Sequence, residues 1–301
     1  MARITFDLDV LRSFVTGVEQ GSFARAADRL GRSTSAISAQ LKKLEDQAGA
    51  PVLKKSGRGL VLTETGEIML GYARRLIELN DEAAAALQGA DLEGQIRLGL
   101  QQDFGESVLT EVLGRFARAH PRVRIEVRID RNGDLVSAVS SGRLDLALAW
   151  QIGETTPFVT SLGEVPLRWI GPAGGVLPWD LNEPLPLVML DAPCLMRSAA
   201  TTALDHAGIP WRIAFTSASL SGIWAAVKAG LGVSVRTSFG LPDGVETLVP
   251  GQAGLPPLGT LGIGIYRAER SVSPRVERLE EILRQEIEPW LPGHGKVTAA
   301  A

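Results

Sequence analysis

The stretch Ser22–Gly49 decides the fold and has the sequence SFARAADRLGRSTSAISAQLKKLEDQAG. Its first part predicts a helix, because Ser22 is a favourable N-cap and apolar residues follow at helical spacing. Gly31 ends that helix, and Ser33 or Thr34 begins a second one. Two adjacent alanines in the first helix would allow a close, steep crossing. The stretch therefore predicts a helix-turn-helix.

The outer face of the second helix is polar and basic. Hydroxyls, amides and ammonium groups are the side chains that reach base edges and phosphates in a DNA major groove. The residues of this helix predicted to contact DNA are Ser33, Thr34, Ser35, Ser38, Gln40, Lys42 and Lys43. The alternative is a helical hairpin whose charged face is simply solvated.

A short β-hairpin is predicted after the two helices. Val52–Lys55 and Leu60–Leu62 have strand composition, and the glycine-rich turn between them carries Arg58 at its tip. Such a wing would place Arg58 beside the second helix, near the minor groove or the DNA backbone. The charge distribution agrees, because positions 1–65 carry +3 while the whole chain carries −3, which leaves −6 for the remainder. This charge distribution favours binding of a polyanion such as DNA to the N-terminal part of the chain and not to the acidic remainder.

Three ordered segments closely resemble the LysR-type transcriptional regulators. They are Ser22–Ala27, Ser33–Glu45 and Leu62–Gly66. The resemblance implies a regulator that binds double-stranded promoter DNA and a small-molecule effector of polar or anionic chemistry. It also implies a homodimer or homotetramer, with RNA polymerase as a further partner.

The chain departs from the usual family pattern at a few positions. The family often has Gln-Pro where this chain has Thr34-Ser35, so a different base preference is expected. It often has Leu-Phe and a later Arg where this chain has Val52-Leu53 and Lys55. Lys55 is still expected to contact DNA, since an ammonium meets phosphate as a point charge rather than as a planar fork.

A long amphipathic helix is predicted from Thr63 to about Gly89. Its apolar residues repeat at intervals of three and four over ~40 Å, a length that suits a dimerising coiled coil. The resemblance implies that this helix pairs two subunits and spaces their DNA-binding heads. The alternative is a helix docked onto its own domain. The predicted dimerisation residues are Ile68, Tyr72, Leu76, Leu79 and Ala83.

A β-α-β-α-β pattern begins after the boundary at 89–94 and predicts a parallel sheet covered on both faces. Its strands are expected at 95–100, 124–129 and 144–150, and its helices at 105–120 and 134–142. Further strands are expected at 167–171, 185–190, 212–217, 233–235 and 262–267, and helices at 194–207, 220–229 and 273–288. The body thus holds two α/β units, and the chain crosses between them near 161–166 and returns near 260–267.

The predicted fold class is mixed α/β with three parts. A winged helix-turn-helix is expected at 1–62, a linker helix at 63–90 and an effector domain at 91–301. The resemblance implies that the effector domain has a periplasmic-binding-protein-like fold of two subdomains. Subdomain I is expected at about 94–161 and 266–292, subdomain II at about 162–265, and a disordered tail from Pro292.

Polar residues at the carboxyl ends of predicted strands indicate a ligand site, because open α/β sheets bind ligands there. Hydroxyls and free N–H groups at a helix start suit a small anion, and the resemblance implies that the family binds its inducer in these regions. The predicted effector-binding residues are Gln101, Gln102, Asp103, Trp150, Ser217 and Ser219. Asp130 and Arg131 end another strand. The alternative gives each an ordinary role as N-cap, turn or core residue.

Motifs for catalysis are missing from the sequence. Its three histidines lack metal-ligand spacing, and it has neither a P-loop nor a Gly-x-Ser-x-Gly elbow. Cys194 lacks a second cysteine to resolve it, so a core or pocket-wall role is favoured over a redox one. We therefore predict a non-enzyme without metal or cofactor. The alternative from another class is an enzyme or transport-type binding protein that uses the same α/β body.

A cytoplasmic location is predicted. A single cysteine excludes a disulfide within the chain and fits a reducing compartment. The N-terminus lacks an apolar run of signal-peptide length. No stretch approaches the ~20 apolar residues of a membrane-spanning helix.

Overall fold

The computed structural model describes residues 4–56, 59–88, 92–151, 158–174, 179, 183–248 and 254–292. The chain divides near residue 91 into two compact units. No helix in the described ranges is long and apolar enough to cross a membrane. The predicted wing-tip residue Arg58, the boundary residues 89–91 and the tail after Pro292 lie outside the described residues.

The N-terminal unit consists of helices and one small hairpin. Its helices are α1 (Leu8–Glu19), α2 (Phe23–Arg29), α3 (Thr34–Ala48) and α4 (Glu64–Gln88), and its strands are β1 (Leu53–Ser56) and β2 (Gly59–Leu62). Strands β1 and β2 pair antiparallel. The predicted N-caps are confirmed, because Ser22 Oγ accepts from the Arg25 N–H and Ser33 Oγ from the Ala36 N–H. Gly49 ends α3 with a φ of 73°, a value that glycine adopts without strain.

Helix α1 is the centre of the N-terminal unit. It packs against α2, α3 and α4, and its Leu11 and Phe14 are completely buried. Leu44 of α3 and Leu70 of α4 close the same apolar core. This core holds α2 and α3 in a helix-turn-helix while leaving the far side of α3 uncovered.

The C-terminal unit alternates strands and helices. Its described strands are β3 (Gly94–Gln101), β4 (Val123–Asp130), β5 (Leu146–Gln151), β6 (Val159–Pro166), β7 (Arg168–Pro172), β8 (Leu185–Leu190), β9 (Trp211–Ser217), β10 (Ser234–Arg236), β11 (Val245–Thr247) and β12 (Thr260–Arg267). Its described helices are α5 (Gln102–Ser107), α6 (Leu109–Ala119), α7 (Asn132–Ser140), α8 (Leu195–His206), α9 (Leu220–Lys228) and α10 (Pro274–Ile287), followed by a 3₁₀ turn at Glu288–Trp290.

These strands form sheets in two halves of the unit. The first half has the order β4-β3-β5-β12-β6, in which β3 pairs in parallel with β4 and β5 while β12 is antiparallel to β5 and β6. The second half has β8 parallel to β9 and a separate β10-β7-β11 sheet. A parallel bridge between Leu187 of β8 and Val233, which directly precedes β10, connects these two sheets of the second half. The predicted mixed α/β fold is confirmed.

Three segments differ from the prediction, and one of them is the short strand β11 (Val245–Thr247), which was not expected. The segment 161–166 was expected to be a connection but lies inside strand β6. Gly163, Glu164 and Pro166 are not typical strand residues, so this segment is a strand because it pairs with β12 at the edge of the sheet. The helix expected at 105–120 is two helices, because α5 ends at Ser107 and α6 begins at Leu109. Gln101 caps α5 by accepting 2.8 Å from the Asp103 N–H, so helix begins directly at the end of β3.

Candidate functional site

The exposed side of α3 carries most of the residues predicted to contact DNA. Thr34, Ser35, Ser38 and Lys42 are all exposed, as is Lys55 on β1. The Ser38 hydroxyl donates to the Thr34 carbonyl at 2.9 Å, so its oxygen still has a lone pair to accept a further bond. These groups are placed where a duplex could reach them without rearrangement of the core.

Ser33 has a structural role at the start of α3. Its Oγ accepts from the Ala36 N–H at 3.2 Å and lies 3.0 Å from the Ser35 Oγ. This is the N-cap interaction that sets where the helix begins. Ser33 therefore positions the exposed residues that follow it.

Gln40 does not point outward as predicted. It is half-buried, and its side-chain oxygen accepts 2.6 Å from the hydroxyl of Ser13 on α1, which is buried. The reason is helical geometry, because Gln40 lies three residues after buried Ile37 and four before buried Leu44. Its NH₂ group remains for an outside partner, while its oxygen is held at the Ser13 hydroxyl.

Two basic residues near α3 pair with acids at the start of α1. Lys43 donates to Asp7 at 2.9 Å, and Arg32 to Asp9 at 2.7 Å. The hydrogen bond from Lys43 lowers the pKa of the Asp7 carboxyl, and the backbone N–H of Asp9 contributes to the same shift. Exposed pairs of this kind are weak, so a phosphate could replace either carboxylate.

Helix α4 presents two different apolar faces. Leu70 and Ala73 are buried against α1, where Arg12 also donates to Asp81 at 3.0 Å. An exposed stripe of apolar side chains lies on another face of α4, with its centre about 130° around the helix axis from the buried face. It consists of Ile68, Tyr72, Leu76, Leu79 and Ala83, with Ile68 59% and Tyr72 62% exposed. Helix α4 thus packs against α1 through one face, and its predicted dimerisation residues remain exposed in this chain.

A cavity of about 830 Å³ lies in the C-terminal unit, at the carboxyl ends of β3, β4, β5 and β8. This is where open α/β sheets bind ligands. Gln101 and Gln102 line it after β3, Arg131 after β4, Trp150 near the end of β5 and Asp191 after β8. Its volume suits a small organic molecule.

The remaining predicted effector residues lie elsewhere. Asp103 is completely buried, 3.8 Å from the Arg236 guanidinium that lines the cavity. Among the described residues, Ala218 lines the cavity, whereas its neighbours Ser217 and Ser219 do not. Ser219 Oγ caps α9 by accepting from the Gly222 N–H at 3.3 Å, and Ser217 Oγ accepts from the Ser219 N–H at 3.1 Å. Both hydroxyls thus accept hydrogen bonds at the start of α9, and their predicted contact with an effector stays a prediction.

Two family descriptions match the chain and together span both units. Residues 8–67 match the bacterial regulatory helix-turn-helix protein, lysR family, and residues 89–288 match the LysR substrate binding domain. The chain belongs to the LysR family of transcriptional regulators. Its relatives include the HTH-type transcriptional regulator PecT of Dickeya dadantii, 36% identical over 78% of this chain and 73% of PecT. DgdR of Burkholderia cepacia is 36% identical over 86% of this chain and 87% of DgdR.

Solved structures of LysR-family regulators share the fold. The structural match to HinK of Pseudomonas aeruginosa covers 94% of this chain and 99% of the HinK chain, with a TM-score of 0.52 and 22% identity. DarR of Vibrio fischeri, solved in complex with DNA, covers the same shares with a TM-score of 0.53 and 15% identity. This LysR-family chain is a DNA-binding transcriptional regulator with an effector-binding domain. The family consists of regulators rather than enzymes, so the enzyme alternative falls away.

The regulator's cavity contains polar residues that the sequence did not single out. Arg236 ends strand β10 and directly follows the strand predicted at 233–235. Arg131 donates to Asp191 Oδ1 at 2.5 Å and to the Ala192 carbonyl at 3.1 Å, which connects the ends of β4 and β8. Arg131 was noticed only as the end of a strand, and the same rule applied to β8 would have indicated Asp191.

Proposed function

We propose that this LysR-family regulator binds promoter DNA as a homodimer, and that a small-molecule effector in the cavity modulates that binding or the activation that follows. The observation that carries this proposal is the cavity itself, which combines a position at four strand ends with polar groups from both halves of the unit. Ligand binding between the halves would change how they close on one another. Such a change could alter the spacing of the DNA-binding heads.

DNA binding is assigned to the exposed side of α3 and to the hairpin. Ser35, Ser38 and Lys42 would enter the major groove, and Lys43 and Lys55 would contact phosphates. Lys43 must leave Asp7 to do so, and the exposed position of that pair makes the exchange inexpensive. Thr34 is exposed and stays a proposed contact, whereas Gln40 is a weaker candidate because its oxygen is bonded to Ser13. Arg58 at the wing tip completes the proposed contacts.

The assembly is assigned to the exposed stripe of α4. Ile68, Tyr72 and Leu79 would pack against the same stripe of a second copy, since exposed large apolar side chains repeated along a helix favour self-association. A further pairing of dimers would give the tetramer. We place the protein in the cytoplasm, with promoter DNA and RNA polymerase as its macromolecular partners.

We assign the domains as 1–62, 63–90 and 91–301. Helix α4, at Glu64–Gln88, supports the middle assignment. Subdomain I is assigned to about 94–161 and 266–292 and subdomain II to about 162–265. Strands β6 and β12 each run across one of these boundaries, so the two crossings would lie along this antiparallel pair.

The test of DNA binding is a titration of a fluorescent fragment from the region upstream of the protein's own gene. The Ser38→Ala/Lys42→Ala double variant should bind it about 1–3 kcal/mol more weakly than the wild type, because it loses a base-edge acceptor and a cation. Lys228→Ala removes an exposed cation from α9 and should bind normally. Unchanged affinity of the double variant would rule out α3 as the recognition helix.

A further inference from the structure

Two residues that line the cavity of the C-terminal unit each carry a buried N–H donor without an acceptor. Arg236 is 2% exposed and Trp150 1% exposed, and both belong to the wall. Within the described residues, neither the Arg236 Nε nor the Trp150 indole Nε1 has a hydrogen-bond partner. A buried donor with no acceptor is unfavourable, so these two groups indicate what kind of ligand the cavity is built for.

The indole of Trp150 is held in one orientation. Its ring packs against Phe104, with centroids 4.5 Å apart, and against Phe239 at 6.2 Å. The side chain of Asn132 fixes the Trp150 backbone with two hydrogen bonds. It accepts from the Trp150 N–H at 2.7 Å and donates to the Trp150 carbonyl at 2.9 Å. The indole N–H is therefore a preorganised donor, whose ordering cost is met by the fold rather than by a ligand.

The guanidinium of Arg236 is held in place without being saturated. Asp103 lies 3.8 Å away, a distance that balances the charge but is too long for a hydrogen bond. The hydrogen bond that Arg236 donates goes to the sulfur of Met196 at 3.1 Å, and a thioether is a weak acceptor. Arg236 thus keeps strong donors for a better acceptor, and an arginine fork matches a carboxylate.

The acids around the cavity do not offer a matching cation site. Asp130 is paired with Arg128 and Asp191 with Arg131, each at 2.5 Å, while Asp134 is exposed to solvent. The wall also has an apolar part. It consists of Ile129, Leu190, Leu195 and Met196. A ligand that fits needs an anionic head and an apolar body.

We propose that the cavity binds a small carboxylate with an apolar body, whose carboxylate accepts from the Arg236 guanidinium and the Trp150 indole. Gln101 supplies a further donor, because its oxygen is used by the Asp103 N–H and its NH₂ group remains. This assignment rests on the proposed function, in which the same cavity holds the effector. It adds the chemical class of that effector and the two residues that select it.

The experiment is calorimetric titration of the full-length protein with matched pairs of probes. Benzoate and hexanoate carry the proposed head and body, while benzamide and hexanamide keep the body and lose the charge. Both carboxylates should bind at least about tenfold more tightly than their amides, because a charge-assisted pair is replaced by a neutral one. Amides that bind as tightly as the acids would overturn the assignment. So would the absence of saturable carboxylate binding up to about 10 mM, well above the Kd of a millimolar ligand.

Variants locate the site. Arg236→Met alone leaves Asp103 buried and unpaired and could fail to fold, so the test uses the charge-neutral pair Asp103→Asn/Arg236→Met. That protein should lose about tenfold or more in benzoate affinity and nothing in benzamide affinity. Trp150→Phe keeps the ring packing, removes the N–H donor and should lose about threefold to tenfold. Arg212→Met, at an exposed arginine of β9, should bind benzoate like the wild type.

Promoter affinity, measured in parallel, separates the two proposals. Benzoate that saturates the cavity without changing promoter affinity would contradict the regulatory function and leave the carboxylate site standing. A neutral molecule that occupies the cavity and shifts promoter affinity would support the regulatory function and overturn the carboxylate site. Wild-type benzoate affinity in both the paired variant and Trp150→Phe would also overturn it.

Discussion

The two units carry their candidate functional side chains in opposite ways. The N-terminal unit presents them outward, on the exposed side of α3 and on the uncovered stripe of α4, where they contribute little to its core. The C-terminal unit buries Arg236 and Trp150 in the wall of a cavity. An exposed group exchanges water for a partner with little effect on folding, whereas a buried polar group is part of the folding energy. The difference predicts which substitutions affect binding alone and which affect stability as well.

The largest expected effect is on assembly. Leu76→Asp/Leu79→Asp should convert a dimer to monomers, since the four leucines of a symmetric pair would each forfeit about 1.5–3 kcal/mol of burial and charges would replace them. The monomer's own stability should change little, because both leucines are exposed in one chain. Sedimentation velocity measures the outcome. Leu231→Asp, at an exposed leucine of the C-terminal unit, is the matched control, and a dimer that survives the double substitution would show that the stripe is not the interface.

The next effect is on the stability of the C-terminal unit. Arg236→Met should lower the free energy of unfolding by about 3–5 kcal/mol, because Asp103 is left buried without its counter-charge. Asp103→Asn/Arg236→Met should recover much of that loss. Urea denaturation measures both, with exposed Arg212→Met as a control expected within about 0.5 kcal/mol of the wild type. If the single and paired variants were equally stable, the pair would not be coupled.

A smaller effect tests whether Gln40 belongs to the surface or to the core. Gln40→Ala should cost about 1 kcal/mol of stability, because it leaves the buried Ser13 hydroxyl without its acceptor. Ser13→Ala in the same chain should make the second change nearly neutral. A double-mutant cycle by thermal unfolding gives the coupling directly. An additive result would place Gln40 among the outward residues after all.

The smallest effect concerns the pair that connects β4 and β8. The hydrogen bond from Arg131 lowers the pKa of the Asp191 carboxyl below its ordinary value of 3.8. A carboxyl with a lowered folded pKa adds stability above that ordinary value, and this contribution is lost as the pH falls through the folded pKa. The difference in Tm between the wild type and Asp191→Asn should therefore be constant from about pH 5 to 8 and shrink below about pH 4. A difference that grows on acidification would contradict this sign.

Local signals predicted the elements well. Ser22 was identified as an N-cap, Ser33 was one of two candidates for the next cap, and β8 was placed at Leu185–Leu190, where the structure has it. The errors arose where a neighbouring element decides. Gln40 was assigned outward from its polarity, although its spacing from Ile37 and Leu44 turns it toward α1. Strand β6 was missed because pairing with β12, rather than its own composition, makes it a strand.

The candidate ligand site shows the same division. Gln101, Gln102 and Trp150 line the cavity and were predicted as candidates because each follows or ends a strand of regular pattern, and strand ends are local information. Arg236 directly follows the strand predicted at 233–235, so the same rule would have indicated it. Its burial beside Asp103 of α5 comes from the packing of β10 and α5, which local patterns do not show. Ser217 and Ser219 stay predictions, because a hydroxyl at a helix start can face a ligand or cap the helix, and the sequence does not distinguish the two roles.

The sequence by itself determined the family, the helix-turn-helix, the long amphipathic helix and the α/β character of the body. These follow from caps, periodicity and ordered motifs, each contained within a few turns or one strand. Only the tertiary structure decided that α4 has one face for its own unit and another left exposed, and which polar side chains share a cavity. Both depend on sheet order and on the direction of packing, which bring together residues as distant as Gln101 and Arg236. Local patterns carry no information about such distant contacts, because the free energy that selects them is that of the whole packed unit.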